Sequence, residues 1–301
     1  MKAREYIGII PPLLTPYTTD GEVDEAALRR LLDFVVPHVH GLYPVGTYGT
    51  GPFMTIDERR RVLEIILDHV AGRIPVVAHV GAPSAHVAVE LAKHAKEAGA
   101  AGIGAISPFY SPGLPEDNLY AYFAALIDAV NEEEFPVFVY NNAHYSQNTI
   151  TPALLAKLAE HGLRGCKDSS FDLVNFYQYT DAVADYADFN VIVGTEAFMV
   201  AAFDAGAIGT VCGIGNIFPE LLRETYDTYQ SGDREKAIEL QRRILRVRKI
   251  IKAGPTVPIM HAILRMRGVD AGSSRAPLIP VPKALEEQVH GGLAELGLLS
   301  G

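Results

Sequence analysis

Lysine is an unusual residue to find closing an apolar segment. Lys167 ends the run Leu163 to Cys166 and opens the polar turn Asp168-Ser169-Ser170. A buried amine loses proton affinity, because burial disfavours its charged form. The neutral amine can attack a ketone to form a Schiff base, and the protonated imine is an electron sink. Such chemistry needs a neighbour that moves protons. Tyr140 ends the preceding apolar run, Pro136 to Tyr140, and its phenol is suited to that task. Thr47 and Tyr110 follow two earlier runs. Around Thr47 the chain reads Gly46-Thr47-Tyr48-Gly49-Thr50-Gly51-Pro52. Its glycines let backbone N–H groups approach a ligand closely, and such donors suit a carboxylate. Singly, each residue has an ordinary reading: a surface lysine, a packed tyrosine, a flexible turn. Their shared place at predicted strand ends is what points to a site.

Those strand ends belong to a repeating pattern. Apolar runs occupy Ile7 to Leu14, Leu42 to Val45, Pro75 to Val80, Ile103 to Ile106, Pro136 to Tyr140, Leu163 to Cys166, Val191 to Val193 and Thr210 to Cys212. They are almost continuously apolar, as parallel strands covered on both faces are. Amphipathic segments separate them, such as the stripe Leu28, Leu31, Leu32 and Val35. Thr55 with Glu58 predicts a capping box, and Thr151-Pro152 predicts a helix start. Gly99 and Gly206 each follow a helical segment and predict its end. About eight such units predict an α/β fold, a closed (β/α)8 TIM barrel with its site at the C-terminal ends of the strands. An open doubly wound sheet would favour a glycine-rich nucleotide turn after the first strand, and Thr15 to Gly21 is no such turn. From Pro219 onward consecutive helices are predicted at Glu220 to Tyr229, Arg234 to Ile251 and Val257 to Met266, with a last, loosely defined one from Ala284 to Leu299. The expected organisation is a catalytic barrel over 1–218 and a C-terminal helical domain over 219–301.

The bulk numbers narrow the class. The chain has 301 residues, 49% of them hydrophobic, and a net charge of -10. That composition supports a large core and gives no basic footprint for nucleic acid. The basic stretch Arg242, Arg243, Arg246, Arg248 and Lys249 reads as a solvated helix face. No apolar run is long enough to span a bilayer, and the opening residues Met1 to Tyr6 do not read as a signal peptide. With two cysteines, Cys166 and Cys212, reduced thiols in a cytoplasmic protein are expected. Cys166 reads as a small strand residue rather than a nucleophile.

The motifs Gly46-Thr47-x-Gly49, Pro108-x-Tyr110, Tyr140-Asn141 and Gly165-x-Lys167-Asp168 occur in an order and spacing that resembles the dihydrodipicolinate synthase / N-acetylneuraminate lyase family of pyruvate-dependent class I aldolases. The similarity covers roughly Ile7 to Pro280. It implies that Lys167 is the Schiff-base lysine, that Tyr140 shuttles protons at the imine, and that Thr47 links Tyr140 to Tyr110 of a neighbouring subunit. It further implies that Thr47-Tyr48 holds the oxo-acid carboxylate and that Gly194 and Val211 line the lysine's surroundings. A barrel with a helical C-terminal domain, assembled as a homotetramer (a dimer of dimers), is expected. The covalent imine needs neither metal nor cofactor.

Departures from the family pattern bear on the substrate. Dihydrodipicolinate synthases carry an arginine where Tyr145 stands, and the acid of the usual Gly-Thr-Thr-Gly-Glu motif is replaced by Thr50. The Thr50-Gly51-Pro52 turn and the Ser107-to-Pro115 loop resemble those of archaeal 2-keto-3-deoxygluconate aldolases. Tyr48 and the Asn142-to-Gln147 loop fit neither pattern. His144 reads as a specificity residue, an acid–base group or a hydrogen-bonded loop histidine. Thr50, Asn142, Tyr145 and Ser146 are expected to give the second-substrate half an uncharged, hydroxyl- and amide-rich lining. The expected activity is reversible cleavage of a 2-keto-3-deoxy sugar acid to pyruvate and an aldehyde. Alternatives are 4-hydroxy-tetrahydrodipicolinate synthesis with another anion anchor, an imine-forming dehydratase or deaminase, and a non-catalytic sensor of oxo acids. The last would have no need to keep Lys167, Tyr140, Thr47 and Tyr110 together.

Overall fold

The computed structural model describes residues 6–130 and 135–299. Residues 1–5, part of the stretch read above as no signal peptide, lie outside them. Seven parallel strands follow one another around a curled sheet: β1 (Gly8–Ile9), β2 (Val77–His79), β3 (Gly102–Ile106), β4 (Val137–Asn141), β5 (Gly165–Asp168), β6 (Asn190–Val193) and β7 (Gly209–Thr210). β1 pairs with β7 through Gly8↔Gly209 and Ile9↔Thr210. The ring closes through the predicted run Leu42 to Val45. Tyr43 donates to the Pro11 carbonyl at 3.0 Å, and Val77 donates to the Leu42 carbonyl at 2.9 Å. This eighth wall is a lone bridge rather than a full strand, Leu42↔Val76. Pro44 has no N–H, and Val45 turns left-handed at φ 51, so the ladder stops there. Likewise β1 is shorter than its apolar run because Pro11-Pro12 supplies no donors.

The helices are α1 (Glu25–Val35), α2 (Ile56–Val70), α3 (Ala85–Glu97), α4 (Glu116–Val130), α5 (Ala143–Ser146), α6 (Pro152–His161), α7 (Leu173–Ala182), α8 (Met199–Asp204), α9 (Pro219–Gln230), α10 (Arg234–Ile251), α11 (Thr256–Met266) and α12 (Lys283–Glu295). The expected signals operate. Thr55 and Glu58 form a reciprocal capping box on α2, and the Thr151 side chain accepts from Leu154 N–H at the start of α6. Gly99 and Gly206 sit at φ 89 and 95 past α3 and α8. Among the described residues, no helix is long and apolar enough to cross a membrane. The boundary expected at 218/219 falls at the start of α9, which packs against both β1 and α10.

Alternation along the strands makes two cores. Outward residues such as Ile103, Val139, Cys166 and Val193 meet the helices in the large core. Inward residues Tyr6, Ile10, Tyr43, Val77, Phe138, Ile192 and Val211 fill the barrel. Gly165 belongs to the inward set, since a Cβ there would lie 2.4 Å from the Phe138 ring. Two positions on, the same face of β5 presents Lys167.

Candidate active site

Tyr140 and Lys167 are direct partners across β4 and β5. Both point into the barrel, and Lys167 is buried at 5% exposure. Its Nζ lies 3.6 Å from the centre of the Tyr140 ring and 4.8 Å from that of Tyr43. His79 completes an aromatic surround, with ring centres 5.8 Å from Tyr43 and 6.2 Å from Tyr140. Burial lowers the proton affinity of Lys167, and the adjacent Tyr140 partly opposes this. Burial also pushes the Tyr140 phenol up. That effect is outweighed by the Lys167 charge and by hydrogen bonds with Asn142, Thr47 and Ser169, so its pKa falls below the ordinary value. Each group contributes to the other's shift, so the two titrate as a coupled pair. Burial holds His79 neutral, with the Arg59 and Lys167 charges acting in the same direction.

The neighbouring carboxylate is engaged elsewhere. Asp168 points outward on β5, where Asn141 Nδ2 donates to it at 2.7 Å and Ser170 Oγ at 2.7 Å. Cys166 also faces outward, and burial pushes its thiol well up, as expected of a packing residue. Among the described residues no carboxylate pairs with the lysine, so the positive charge of an imine would rest on aromatic faces.

A cavity of about 640 Å³ opens at the C-terminal ends of the strands; Tyr140 lines it, and Lys167 lies behind that lining. Thr47, Tyr48, Asn142, His144, Tyr145 and Gly194, all singled out from the sequence, line it. Tyr48 packs against Gly213, and burial raises its pKa well above the ordinary value. His144 stacks edge-on against Tyr145 at 5.1 Å. Gly194 is required by space, since a Cβ there would lie 1.9 Å from Ser169 Oγ. A larger hollow of about 780 Å³, lined by residues such as Pro75, His94 and Ala101, lies at the opposite ends of the strands and contains none of these groups.

Other expected residues lie outside the cavity lining. Val211 is buried within the barrel filling. Thr50 turns away from the cavity; its Oγ1 is 2.7 Å from the Tyr17 hydroxyl. Ser146 hydrogen-bonds the Asn142 and Asn148 carbonyls instead of lining the cavity. Tyr110 is 95% exposed and held left-handed at φ 87. Asn148 fixes its loop by donating to the Pro108 and Ser111 carbonyls at 2.8 and 2.9 Å.

The uncharged second-substrate lining is corrected by the structure. Arg248 and Lys252 of the C-terminal part line the cavity, and so does Asp172. Arg248 is not on the solvated face expected of its basic stretch. Its Nε lies 3.1 Å from the buried Glu196 carboxylate, and its guanidinium stacks over Phe171 at 5.3 Å. The signal was available: on α10 the buried stripe includes Ile244, Val247 and Ile251, so position 248 borders that seam. Tyr43, Ser169 and Ser170 were also overlooked. Tyr43 was hidden because its run breaks strand alternation at Pro44.

Backbone strain collects here too. Val45, Thr50, Tyr110, Gln147 and Phe171 are non-glycine residues at φ between 51 and 87. All five lie in loops leaving the C-terminal ends of the barrel walls, and only Ala71, at the end of α2, shares the conformation elsewhere among the described residues. Such strain persists where the surroundings over-determine it, typically at functional sites.

The sequence profile of the Dihydrodipicolinate synthetase family matches residues 5–296. An uncharacterized DapA-like lyase of Halobacterium salinarum is 36% identical over 97% of this chain and 94% of its own length. A 4-hydroxy-tetrahydrodipicolinate synthase of Acidiphilium cryptum is 32% identical over 97% of this chain and 99% of its own. Among solved structures, YagE of E. coli K12, a prophage protein of the dihydrodipicolinic acid synthase family in complex with pyruvate, superposes with a TM-score of 0.93 at 27% identity. That match covers 97% of this chain and 99% of YagE.

Proposed function

The chain belongs to the dihydrodipicolinate synthetase family and is a carbon–carbon lyase, and from that premise we propose that it reversibly cleaves a 2-keto-3-deoxy sugar acid into pyruvate and an aldehyde. The observation that carries this reading is the buried Lys167 amine, 3.6 Å from the centre of the Tyr140 ring on the adjacent strand. The neutral amine adds to the C2 ketone and water leaves, giving a protonated imine. Tyr140 takes the proton of the C4 hydroxyl as the C3–C4 bond breaks. The imine accepts the bonding pair as an enamine, and the aldehyde departs. Protonation at C3 and hydrolysis then release pyruvate and restore the amine. Thr47 relays protons between Tyr140 and Tyr110 of a neighbouring subunit in a homotetramer; the exposure of Tyr110 fits that role.

Arg248 and Lys252 favour one second reading. They place two cations in the cavity that could hold the carboxylate of another aldehyde substrate, which would make the chain a 4-hydroxy-tetrahydrodipicolinate synthase, the activity for which the Acidiphilium relative is named. The hydroxyls and amides around Tyr140 favour the sugar acid.

Borohydride reduction in the presence of pyruvate, followed by peptide mass spectrometry, tests the imine. A pyruvyl adduct on the Lys167 peptide is expected, absent in Lys167→Ala. An unmodified Lys167 would overturn both readings. Turnover of pyruvate with glyceraldehyde against aspartate semialdehyde then decides between them. Faster consumption of aspartate semialdehyde would overturn the sugar-acid reading.

A further inference from the structure

Asn142 stands at the N-terminus of α5, where an asparagine side chain ordinarily caps the helix. Here it makes no cap. It turns back along the strand end, and its Nδ2 donates to the Tyr140 phenolic oxygen at 2.8 Å. Its Oδ1 is buried and has no hydrogen-bond partner among the described residues. The residue is 5% exposed and lines the cavity. Its backbone is fixed, since the Asn142 carbonyl accepts from Tyr145 N, Ser146 N and Ser146 Oγ at 3.2, 3.0 and 3.1 Å. A buried amide with one end on the acid–base tyrosine and the other end unsatisfied calls for a ligand donor.

We propose that Asn142 is the positioning residue for Tyr140 and a specificity-determining contact for substrate. Its N–H favours the phenolate that removes the hydroxyl proton, and its amide oxygen accepts a hydrogen bond from a hydroxyl on the aldehyde-derived half. This rests on the aldolase reading above. A site built to hydrogen-bond a hydroxyl discriminates strongly against the analogue lacking it, because its buried polar group is then left unpaired. Aldehydes hydroxylated next to the carbonyl are therefore the favoured class.

The charged and titratable groups facing Tyr140 are Lys167 on β5, Tyr43 and Tyr48 from the second wall, His79 on β2 and Tyr145 on α5. Lys167 stabilises the phenolate, Tyr43, Tyr48 and Tyr145 disfavour it once ionised, and neutral His79 does neither. Asn142 adds a contribution that none of these supplies, a neutral donor whose strength does not change with pH.

The chain contains no tryptophan, which leaves the tyrosinate absorbance unobscured. The experiment is a spectrophotometric pH titration of the free enzyme, with Tyr140→Phe subtracted to isolate Tyr140. Asn142→Leu and the near-isosteric Asn142→Asp both lose the donor, so Tyr140 should ionise at higher pH in each. An unchanged or lower ionisation in either folded variant overturns the positioning role. For specificity, pyruvate is combined with glyceraldehyde or with propanal. Wild type should favour glyceraldehyde, and Asn142→Leu should lose about 10²-fold of that preference. A preference that survives overturns the substrate contact. Failure of pyruvate trapping on Lys167 in wild type would instead remove the aldolase reading, so the two failures are separable.

Discussion

Tyr140 illustrates how much one hydroxyl is asked to do. Tyr140→Phe keeps the ring over Lys167 but removes the proposed proton carrier, so kcat should fall about 10²–10⁴-fold. Steady-state cleavage assays check this, and a loss below tenfold would reassign the base. The lowered proton affinity of Lys167 fixes the sign of the pH response. Only the neutral amine attacks, so the initial rate of borohydride-trapped adduct should rise with pH and level off before the ordinary lysine range. A rise that continues into that range would show an unperturbed amine. These two residues were legible in the sequence because each ends an apolar run and a family motif surrounds it. Asn142 was named only as lining, because its bond to Tyr140 depends on its not capping α5, which no spacing reveals.

Elements supply the precision. β4 and β5 set Tyr140 against Lys167 by register, and Gly165 leaves room for the aromatic floor beneath. Loop space is as strict at Gly194. Gly194→Ala would drive a Cβ to 1.9 Å from Ser169 Oγ and 2.8 Å from the Asp168 carbonyl. It should cost about 1–3 kcal/mol by overpacking and lower kcat by displacing Ser169 from Tyr140. Thermal denaturation and kinetics together check both effects, and an unshifted melting point would refute the clash. Periodicity made α9, α10 and α11 legible to within a residue, while the last helix, expected from Ala284 to Leu299, spans Lys283–Glu295. The second wall was legible as an apolar run but not as an interrupted one, because Pro44 and a left-handed Val45 override its β propensity.

At the scale of the whole molecule, α10 is fastened to the barrel next to the site. Gln241 Nε2 donates to the Glu196 carbonyl at 2.8 Å, and Arg248 meets the Glu196 carboxylate, whose pKa burial raises. Arg248→Ala leaves that carboxylate buried without its cation. It should cost about 1–2 kcal/mol after allowing for the partial exposure of Arg248, and it should raise KM for any aldehyde carrying an acid. Denaturant melts and a KM comparison across charged and neutral aldehydes check this. Arg248 was misread because helix charge runs are usually solvated, and only tertiary packing shows which member turns inward. The cluster of left-handed residues at the cavity mouth has a practical corollary for handling the protein. The four loops that carry these five residues hold conformations that the rest of the fold imposes on them, so on warming they should relax before the barrel does. A stored or heated sample would then fall silent in assay while its circular dichroism still reads as native. Shelf life should therefore be tracked by turnover rather than by spectra.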